Sequence, residues 1–124
     1  MAATKQIITA ITAREFQQLQ GKAAGALIVI KFGAEWCKPC KLIKSTWEEW
    51  VQGCNANIIY ADIDIDESMD LYMAFKSKKM IKGVPTIMAF DMRKSRDQWY
   101  IPDDSVVGGD IGAVSAFLQR CSAA

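Results

Sequence analysis

Two cysteines that lie close together are the residues of this chain whose types and spacing could do chemistry. Cys37 and Cys40 have two residues between them in the segment WCKPCK. A thiolate at Cys37 can attack a disulfide, and Cys40 can then attack the mixed disulfide and release the reduced product. If a helix begins at Cys37, Cys40 lies one turn along it, where an intramolecular disulfide has ordinary geometry. The spacing predicts thiol–disulfide exchange, with Cys37 as the attacking thiol and Cys40 as the resolving thiol.

The residues around this pair favour the thiolate that exchange requires. The pair follows a predicted buried strand and opens a helix, where unpaired backbone N–H groups and the helix dipole stabilise negative charge. Lys38 adds a weak positive field, and Pro39 stiffens the helix start, where its missing N–H costs little. Trp36 is expected to cover the site at its surface. Because the thiolate is the nucleophile, Trp36, Lys38 and Pro39 are predicted to tune reactivity.

The composition excludes several other chemistries. The chain has 124 residues, a net charge of +1 and no histidine, which rules out Ser-His-Asp and Cys-His catalysis and histidine metal ligands. No strong field favours nucleic acid or a membrane surface. Cys54 and Cys121 could serve as further metal ligands, but their spacing is unlike that of zinc modules, so we expect no metal site. We interpret both as plain thiols, with oxidation as the less favoured alternative and with Cys121 exposed near the chain end.

The hydrophobic pattern predicts strands that alternate with helices, in the order β-α-β-α-β-α-β-β-α. Thr12 and Glu15 form a capping-box pattern at the start of the first helix. Asp66 or Ser68 is a candidate cap for the third helix, and Asp110 for the last. The predicted strands are residues 7–11, 26–32, 57–63 and 86–90, with 98–101 and 105–107 as further candidates, and the predicted helices are 12–21, 37–53, 69–75 and a last one from 110.

This order of elements indicates one α/β domain over residues 1–124, built on a central mixed β-sheet flanked by helices. Strands joined through helices would be parallel, and the late pair without a helix would be antiparallel. The run of β-branched residues at 26–32 is typical of a strand buried on both faces in the middle of a sheet. Such a strand would hold the cysteine pair at its end.

Two motifs together resemble the signatures of the thioredoxin family. Residues 30–41, IKFGAEWCKPCK, resemble its active-site segment, and Gly83-Val-Pro-Thr resembles its second signature. The resemblance covers almost the whole chain in the right order and implies a thioredoxin fold. It also implies that Pro85 is cis, that Val84 offers backbone hydrogen bonds, and that Gly108 lies near the groove. Trp36, Val84, Pro85 and Gly108 would then bind an extended substrate.

Three residues depart from the family pattern. Lys31 stands where thioredoxins usually carry a buried acidic residue below the second cysteine. It could stabilise the Cys40 thiolate, or it could turn its head to water. Lys38 occupies the first position between the two cysteines, where glycine is commonest in the family. Its positive charge should stabilise the reduced form and give a redox potential somewhat less reducing than that of ordinary thioredoxin. Gly33 replaces an aromatic residue found in many members, which would loosen local packing.

Residues 91–105 form a longer segment than the usual tight turn between the last strands of the family. They include three basic side chains, a tryptophan, a tyrosine and a proline. One interpretation is a partner-binding extension. The other, which we favour, is an elongated hairpin.

The resemblance implies a thioredoxin-like protein disulfide reductase that works through Cys37 and Cys40. No bound cofactor is expected; electrons would come from a separate reductase of the thioredoxin reductase type, and substrates would be disulfide-containing proteins. One alternative is a disulfide oxidase or isomerase of the same fold, which Lys31 and Lys38 favour. A second is a binding module that keeps the fold and acts through protein contacts, although such a module has no need for both thiols.

The N-terminal residues and the apolar runs of the chain indicate where in the cell the protein is expected. The N-terminal MAATKQ has no apolar core of the kind found in signal peptides. The longest apolar run, residues 26–30, is too short to span a bilayer. We therefore expect a cytoplasmic monomer that takes part in electron transport and cell redox homeostasis, with no nucleic acid or membrane partner.

Overall fold

The computed structural model describes residues 6–54 and 56–124. The prediction about a leader segment falls largely on residues 1–5, which lie outside the described part. Within the described residues the strands are β1 (Ile7–Ile8), β2 (Leu27–Gly33), β3 (Ile58–Asp64), β4 (Thr86–Asp91) and β5 (Asp104–Val107). The helices are α1 (Ala13–Lys22), α2 (Lys38–Gly53), α3 (Met69–Ser77) and α4 (Ile111–Ala123).

The five strands of the described chain form one mixed sheet in the order β1-β3-β2-β4-β5. β1 and β2 both pair with β3 in parallel, while β4 runs antiparallel to β2 and β5 antiparallel to β4. A parallel pair needs a crossover, which the intervening helices supply, whereas the helix-free link between β4 and β5 leaves them antiparallel. The predicted thioredoxin fold, a mixed sheet flanked by helices, is confirmed, with β2 at its centre.

Side chains of β2 alternate between the two faces of the sheet, and each face packs against two helices. Ile28, Ile30 and Phe32 belong to the core under α1 and α3. Leu27 and Val29 belong to the core under α2 and α4. Because successive residues of a strand point to opposite faces, Lys31 shares the α2 side with Leu27 and Val29.

The predicted helix caps of α1 and α4 are confirmed, and of the two candidates for α3 the N-cap position is occupied by Ser68. The Glu15 amide donates to Thr12 Oγ1 at 3.1 Å, and the Thr12 amide donates to Glu15 Oε1 at 2.9 Å. The Gly112 amide donates to Asp110 Oδ1 at 3.0 Å. Ser68 is the N-cap residue of α3, but its side chain makes no capping hydrogen bond. Asp66 uses its carboxylate elsewhere, as described below.

The candidate strand at residues 98–101 is wrong, because this segment forms turns in the link between β4 and β5. The Trp99 ring packs edge-on against Phe16 at 6.2 Å and tilted against Phe75 at 5.4 Å. Gln20 of α1 donates its side-chain N–H to the Trp99 carbonyl at 2.9 Å. Aromatic residues that would suit a strand are here used to cover the α1 and α3 core.

The link is also not the elongated hairpin that we favoured, since β4 and β5 pair only from Thr86↔Val107 to Ala89↔Asp104. Arg96 fixes the conformation of this link by donating hydrogen bonds to the carbonyl of Ile101 at 2.7 Å and to the Asp103 carboxylate. Its guanidinium also lies 5.3 Å from the centre of the Phe90 ring. The extra length, residues 92–103, is therefore a loop that covers the side of the sheet carrying α1 and α3, and we call it the strap.

No helix in residues 6–54 and 56–124 combines the length and apolar character that crossing a membrane requires.

Candidate active site

Cys37 and Cys40 form a disulfide at the N-terminus of α2, with Cα atoms 5.3 Å apart. β2 ends at Gly33, and the chain turns so that the Cys37 amide donates to the Ala34 carbonyl at 3.2 Å. Cys37 is the N-cap residue, and Pro39 occupies the first turn, where helices tolerate proline. Cys37 is 4% exposed and Cys40 7% exposed. The predicted arrangement of strand, turn, disulfide and helix is confirmed.

The backbone around Cys37 suits a thiolate. The Cys40 amide donates to the Cys37 sulfur at 3.2 Å, in the manner of an N-cap oxygen. The first turn of α2 carries no acidic residue to offset the positive end of the helix dipole. Lys38 is exposed and lies in the first turn of α2, between the two cysteines. Once the disulfide is reduced, these groups favour the anionic sulfur that attacks disulfides.

The second signature lies directly against the disulfide. The Val84–Pro85 peptide bond is cis, as the resemblance implied. The Val84 carbonyl oxygen lies 3.6 Å from the Cys37 sulfur. The Gly108 amide donates to the Pro85 carbonyl at 2.9 Å, and Gly108 has φ +99°, a conformation that suits glycine. The fold therefore brings Val84, Pro85 and Gly108 to the side of Cys37.

Trp36 lies at the surface beside the disulfide and is 65% exposed. Its indole N–H donates to Asp66 Oδ2 at 2.8 Å. Sequence reasoning assigned Asp66 only as a possible helix cap and missed this contact. No local signal links the two residues, which are 30 positions apart.

Gly109 is a second residue that sequence reasoning missed. A Cβ at this position would lie 2.9 Å from Pro39 Cβ and 3.1 Å from the Pro39 Cα and carbonyl oxygen. The loop before α4 therefore touches the first turn of α2 so closely that only glycine fits. The adjacent Gly108-Gly109 pair was the available signal.

Lys31 is buried below the disulfide, at 7% exposure, and does not turn freely to water. Its Nζ pairs with Asp62 Oδ1 at 3.0 Å. Both residues line a cleft of about 660 Å³, together with Gly33 and Cys40. The head of Lys31 is therefore not turned to bulk water, and it lies on the Cys40 side of β2.

Cys54 and Cys121 lie at the far end of α2, which spans 16 residues and so about 24 Å. Cys121 is buried at 3% exposure, so the expectation that it is exposed was wrong. It faces the core between α4 and the sheet, and burial raises the pKa of its thiol to about 12. Burial, followed by a hydrogen bond with Cys54, raises the pKa of Tyr60. Neither cysteine is placed to take part in chemistry at Cys37.

Within the described residues there is no group of three or more cysteine, aspartate or glutamate side chains arranged to hold a metal ion. The dithiol and disulfide forms of Cys37 and Cys40 interconvert without a bound cofactor. The redox group of the site is thus part of the chain itself.

Comparison with known proteins assigns the family. The thioredoxin family model matches residues 7–104. The thioredoxin of Coprinus comatus is 29% identical over 107 residues, which is 86% of this chain and 89% of that protein. Thioredoxin domain-containing protein 8 of Rattus norvegicus is 35% identical over 77 residues, 62% of this chain and 57% of that protein.

Solved structures agree on the fold. The thioredoxin of Malassezia sympodialis superposes with a TM-score of 0.69 at 23% identity, covering 98% of this chain and 99% of that one. A thioredoxin f2 solved in complex with ferredoxin:thioredoxin reductase gives a TM-score of 0.68 at 18% identity, covering 92% and 94%. With the family model spanning well over half of its length, this chain belongs to the thioredoxin family of thiol–disulfide oxidoreductases.

Proposed function

We propose that this chain reduces disulfides of protein substrates by dithiol exchange through Cys37 and Cys40. The observation that carries the proposal is the Cys37–Cys40 disulfide, which spans the N-cap and first turn of α2. The Cys37 sulfur has an amide donor from Cys40 at 3.2 Å, which favours its thiolate. The domain would comprise residues 1–124, and the two cores on either side of one sheet support this.

The reaction would proceed in two exchange steps. The Cys37 thiolate attacks one sulfur of the substrate disulfide, forming a mixed disulfide and releasing the other sulfur as a thiolate. The Cys40 thiol loses its proton to solvent and attacks the Cys37 sulfur. A Cys37–Cys40 disulfide forms, and the substrate leaves as a dithiol after protonation. Two electrons pass from this chain to the substrate.

Substrate would lie across the surface formed by Trp36, Val84, Pro85 and Gly108. The exposed ring of Trp36 and the adjacent backbone of the Val84–Pro85 loop support an extended, partly apolar polypeptide. Val107 and Ile111 are 57% and 50% exposed on either side of the Gly108 turn and extend the apolar character. Backbone recognition would allow many different sequences to bind.

A separate reductase would return the electrons. The thioredoxin f2 neighbour, solved with a reductase, supports this class of donor. The net charge of +1 gives no reason to expect nucleic acid. We place the protein in the cytoplasm as a monomer without a membrane partner, while mitochondrial thioredoxins among its relatives make the mitochondrial matrix the competing location.

The direct test is reduction of a disulfide-containing protein with dithiothreitol as electron source. We expect Cys37→Ser to abolish turnover and Cys40→Ser to accumulate mixed disulfides on Cys37. Cys54→Ser, at the far end of α2, serves as the control and should turn over normally. Normal turnover by Cys40→Ser would show that the two-thiol mechanism is wrong.

A disulfide oxidase or isomerase is the second candidate, because Lys31 and Lys38 place positive charge near the sulfurs. Titration in glutathione buffers, read by tryptophan fluorescence, separates the two. A midpoint near about −270 mV supports a reductase, and one near about −180 to −120 mV supports an oxidase or isomerase. If neither transition exists and a double Cys37→Ser, Cys40→Ser chain still functions in cells, the binding module replaces both.

A further inference from the structure

A buried ammonium group, that of Lys31, lies in the wall of the active site beneath the resolving cysteine. Lys31 pairs with Asp62 in the register of β2 and β3, and Lys31 Nζ lies 3.0 Å from Asp62 Oδ1. The same Nζ is 5.8 Å from the centre of the Trp47 ring of α2. The contact with Asp62 and the packing on Trp47 fix the end of a side chain that would otherwise be flexible.

The ammonium and the Cys40 sulfur face the same small space. A Cβ on Gly33 would lie 3.4 Å from Cys40 Sγ and 3.8 Å from Lys31 Nζ. Because Gly33 has no side chain, nothing from that position separates the two groups. Lys31, Gly33, Cys40 and Asp62 all line the same cleft, which is open to solvent on the Asp62 side.

Other charged groups also line this cleft, from α2, from the turn before it, and from β3 and the turn after it. They are Glu35, Lys41, Lys44, Asp62, Asp64 and Glu67. Lys41 and Lys44 are exposed, as are Glu35 and Glu67, so solvent and salt screen their fields. Asp62 and Asp64 are half-buried, and Lys31 is the most deeply buried charge of the set. Solvent therefore screens the field of Lys31 at Cys40 least, and Asp62 is the counter-charge in direct contact with it.

We propose that the Lys31 ammonium, held in place by Asp62, stabilises the Cys40 thiolate during the second step of disulfide exchange. The proposal rests on the dithiol function proposed above and assigns a group to that step. The Cys40 S–H gives its proton to solvent through the open cleft. The Cys40 sulfur then bonds to the Cys37 sulfur, the bond between Cys37 and the substrate breaks, and its electron pair leaves on the substrate sulfur.

Lys31 is therefore an electrostatic partner of Cys40, and Asp62 is its positioning residue. Stabilising a thiolate stabilises the reduced form of the pair, which makes the protein a stronger oxidant. The same contact thus predicts both a faster second step and a less reducing potential.

The experiment separates the two steps with dithiobis(nitrobenzoate), a small aromatic disulfide that releases a coloured thiolate at each step. Stopped-flow mixing with excess reagent gives a first release at Cys37 and a second, reagent-independent release at Cys40. Cys40→Ser gives the first release alone and identifies it. We compare wild type with Lys31→Met, Lys31→Arg and Lys44→Met over a range of pH.

In Lys31→Met the second release should slow by about three- to tenfold at neutral pH, with the midpoint of its pH profile shifted upward. The first release should stay within about twofold of wild type. Lys31→Arg keeps the charge and should restore the second rate. Lys44→Met removes an equal charge from the exposed side of the same cleft, so it controls for net charge and reagent attraction.

The glutathione midpoint provides the independent readout, and it should become more negative in Lys31→Met and return in Lys31→Arg. If Lys31→Met does not fold, Lys31→Gln removes the charge while keeping a donor for Asp62. An unchanged second release and potential in the neutral variant would overturn the proposal, as would equal slowing in Lys44→Met. The reagent needs no protein substrate, so failure of the proposed reductase activity would be seen separately, in the protein-disulfide assay.

Discussion

Gly109 and Pro39 touch so closely that the position of one fixes the other: a Cβ on Gly109 would lie 2.9 Å from Pro39 Cβ. Pro39 belongs to the turn that separates Cys37 from Cys40, so this contact joins the loop before α4 to the redox pair. The three nearest atoms, Pro39 Cβ, Cα and carbonyl oxygen, are ring or backbone atoms, which cannot rotate aside. A side chain at Gly109 must displace the start of α2.

Gly109→Ala should therefore lower both stability and reactivity. We expect a loss of about 1–3 kcal/mol in the free energy of unfolding, as for other overpacked sites. The rate at which Cys37 reacts with an aromatic disulfide should fall with it. Gly21→Ala is the control, because a Cβ there meets nothing within 4 Å and helix propensity favours alanine by about 1 kcal/mol. Wild-type reactivity in Gly109→Ala would contradict the coupling.

Asp66→Ala should weaken substrate binding through Trp36. The lost hydrogen bond, 2.8 Å long in the native protein, frees an exposed indole ring to adopt other rotamers. We expect KM for a protein substrate to rise about two- to fivefold, the scale of one modest hydrogen bond, with kcat nearly unchanged. Glu67→Ala removes the neighbouring exposed acid and should leave KM unaltered. A change in kcat alone would argue against a role in binding.

Asp91 should make stability depend on pH in the acid range. The Arg93 guanidinium donates two hydrogen bonds to this buried carboxylate and lowers the pKa of Asp91 to about 2. A lowered folded-state pKa contributes stability above the unfolded value of about 3.9, and that contribution disappears as pH falls through about 2. Wild type should unfold at higher urea than Asp91→Asn at pH 6, and the difference should shrink towards pH 2. Asp97→Asn, which removes an exposed acid from the same link, is the matched control.

Trp99→Ala should destabilise the protein without changing its chemistry. The ring contacts Phe16 and Phe75 beneath the strap, on the side of the sheet away from α2. Removing a half-buried tryptophan should cost about 2–4 kcal/mol. The rate of reaction at Cys37 should equal that of wild type under conditions where both are folded. A parallel loss of reactivity would show that the strap reaches the active site.

Cys121 should resist alkylation in the folded, reduced protein. Burial raises the pKa of this thiol to about 12, so almost none is ionised at pH 8. Treatment with iodoacetamide followed by peptide mass spectrometry should find Cys37 modified first and Cys121 unmodified. Unfolding in urea should expose Cys121 to modification at an ordinary rate. Rapid native labelling would mean that α4 opens readily.

The features that the sequence predicts best are those that depend on residues close together in the chain. The Thr12–Glu15 capping box, the start of α2 at the cysteine pair and the cap at Asp110 each depend on residues three or fewer positions apart. Hydrophobic alternation then gave the order of strands and helices, because the period of a pattern is a property of a short window.

The features that sequence missed depend on distant residues. Trp99 and its neighbours have strand-like composition, but contacts with α1 and α3 override that preference. Cys121 is an exception, because the periodicity of α4 turns it into the core with Val114, Phe117 and Leu118, and that local signal was outweighed by its position three residues from the end of the chain. The pairing of Lys31 with Asp62 is set by the register of two parallel strands joined through a helix, which no local pattern specifies.

The alternation of β2 has a consequence for how proteins with this architecture can vary. Even-numbered positions 28, 30 and 32 serve one hydrophobic layer, while position 31 points to the layer that holds the sulfurs. A substitution at 31 therefore alters the electrical surroundings of the redox pair and leaves the opposite layer untouched. Redox behaviour and the packing of half the protein can be adjusted by separate sets of residues on a single strand.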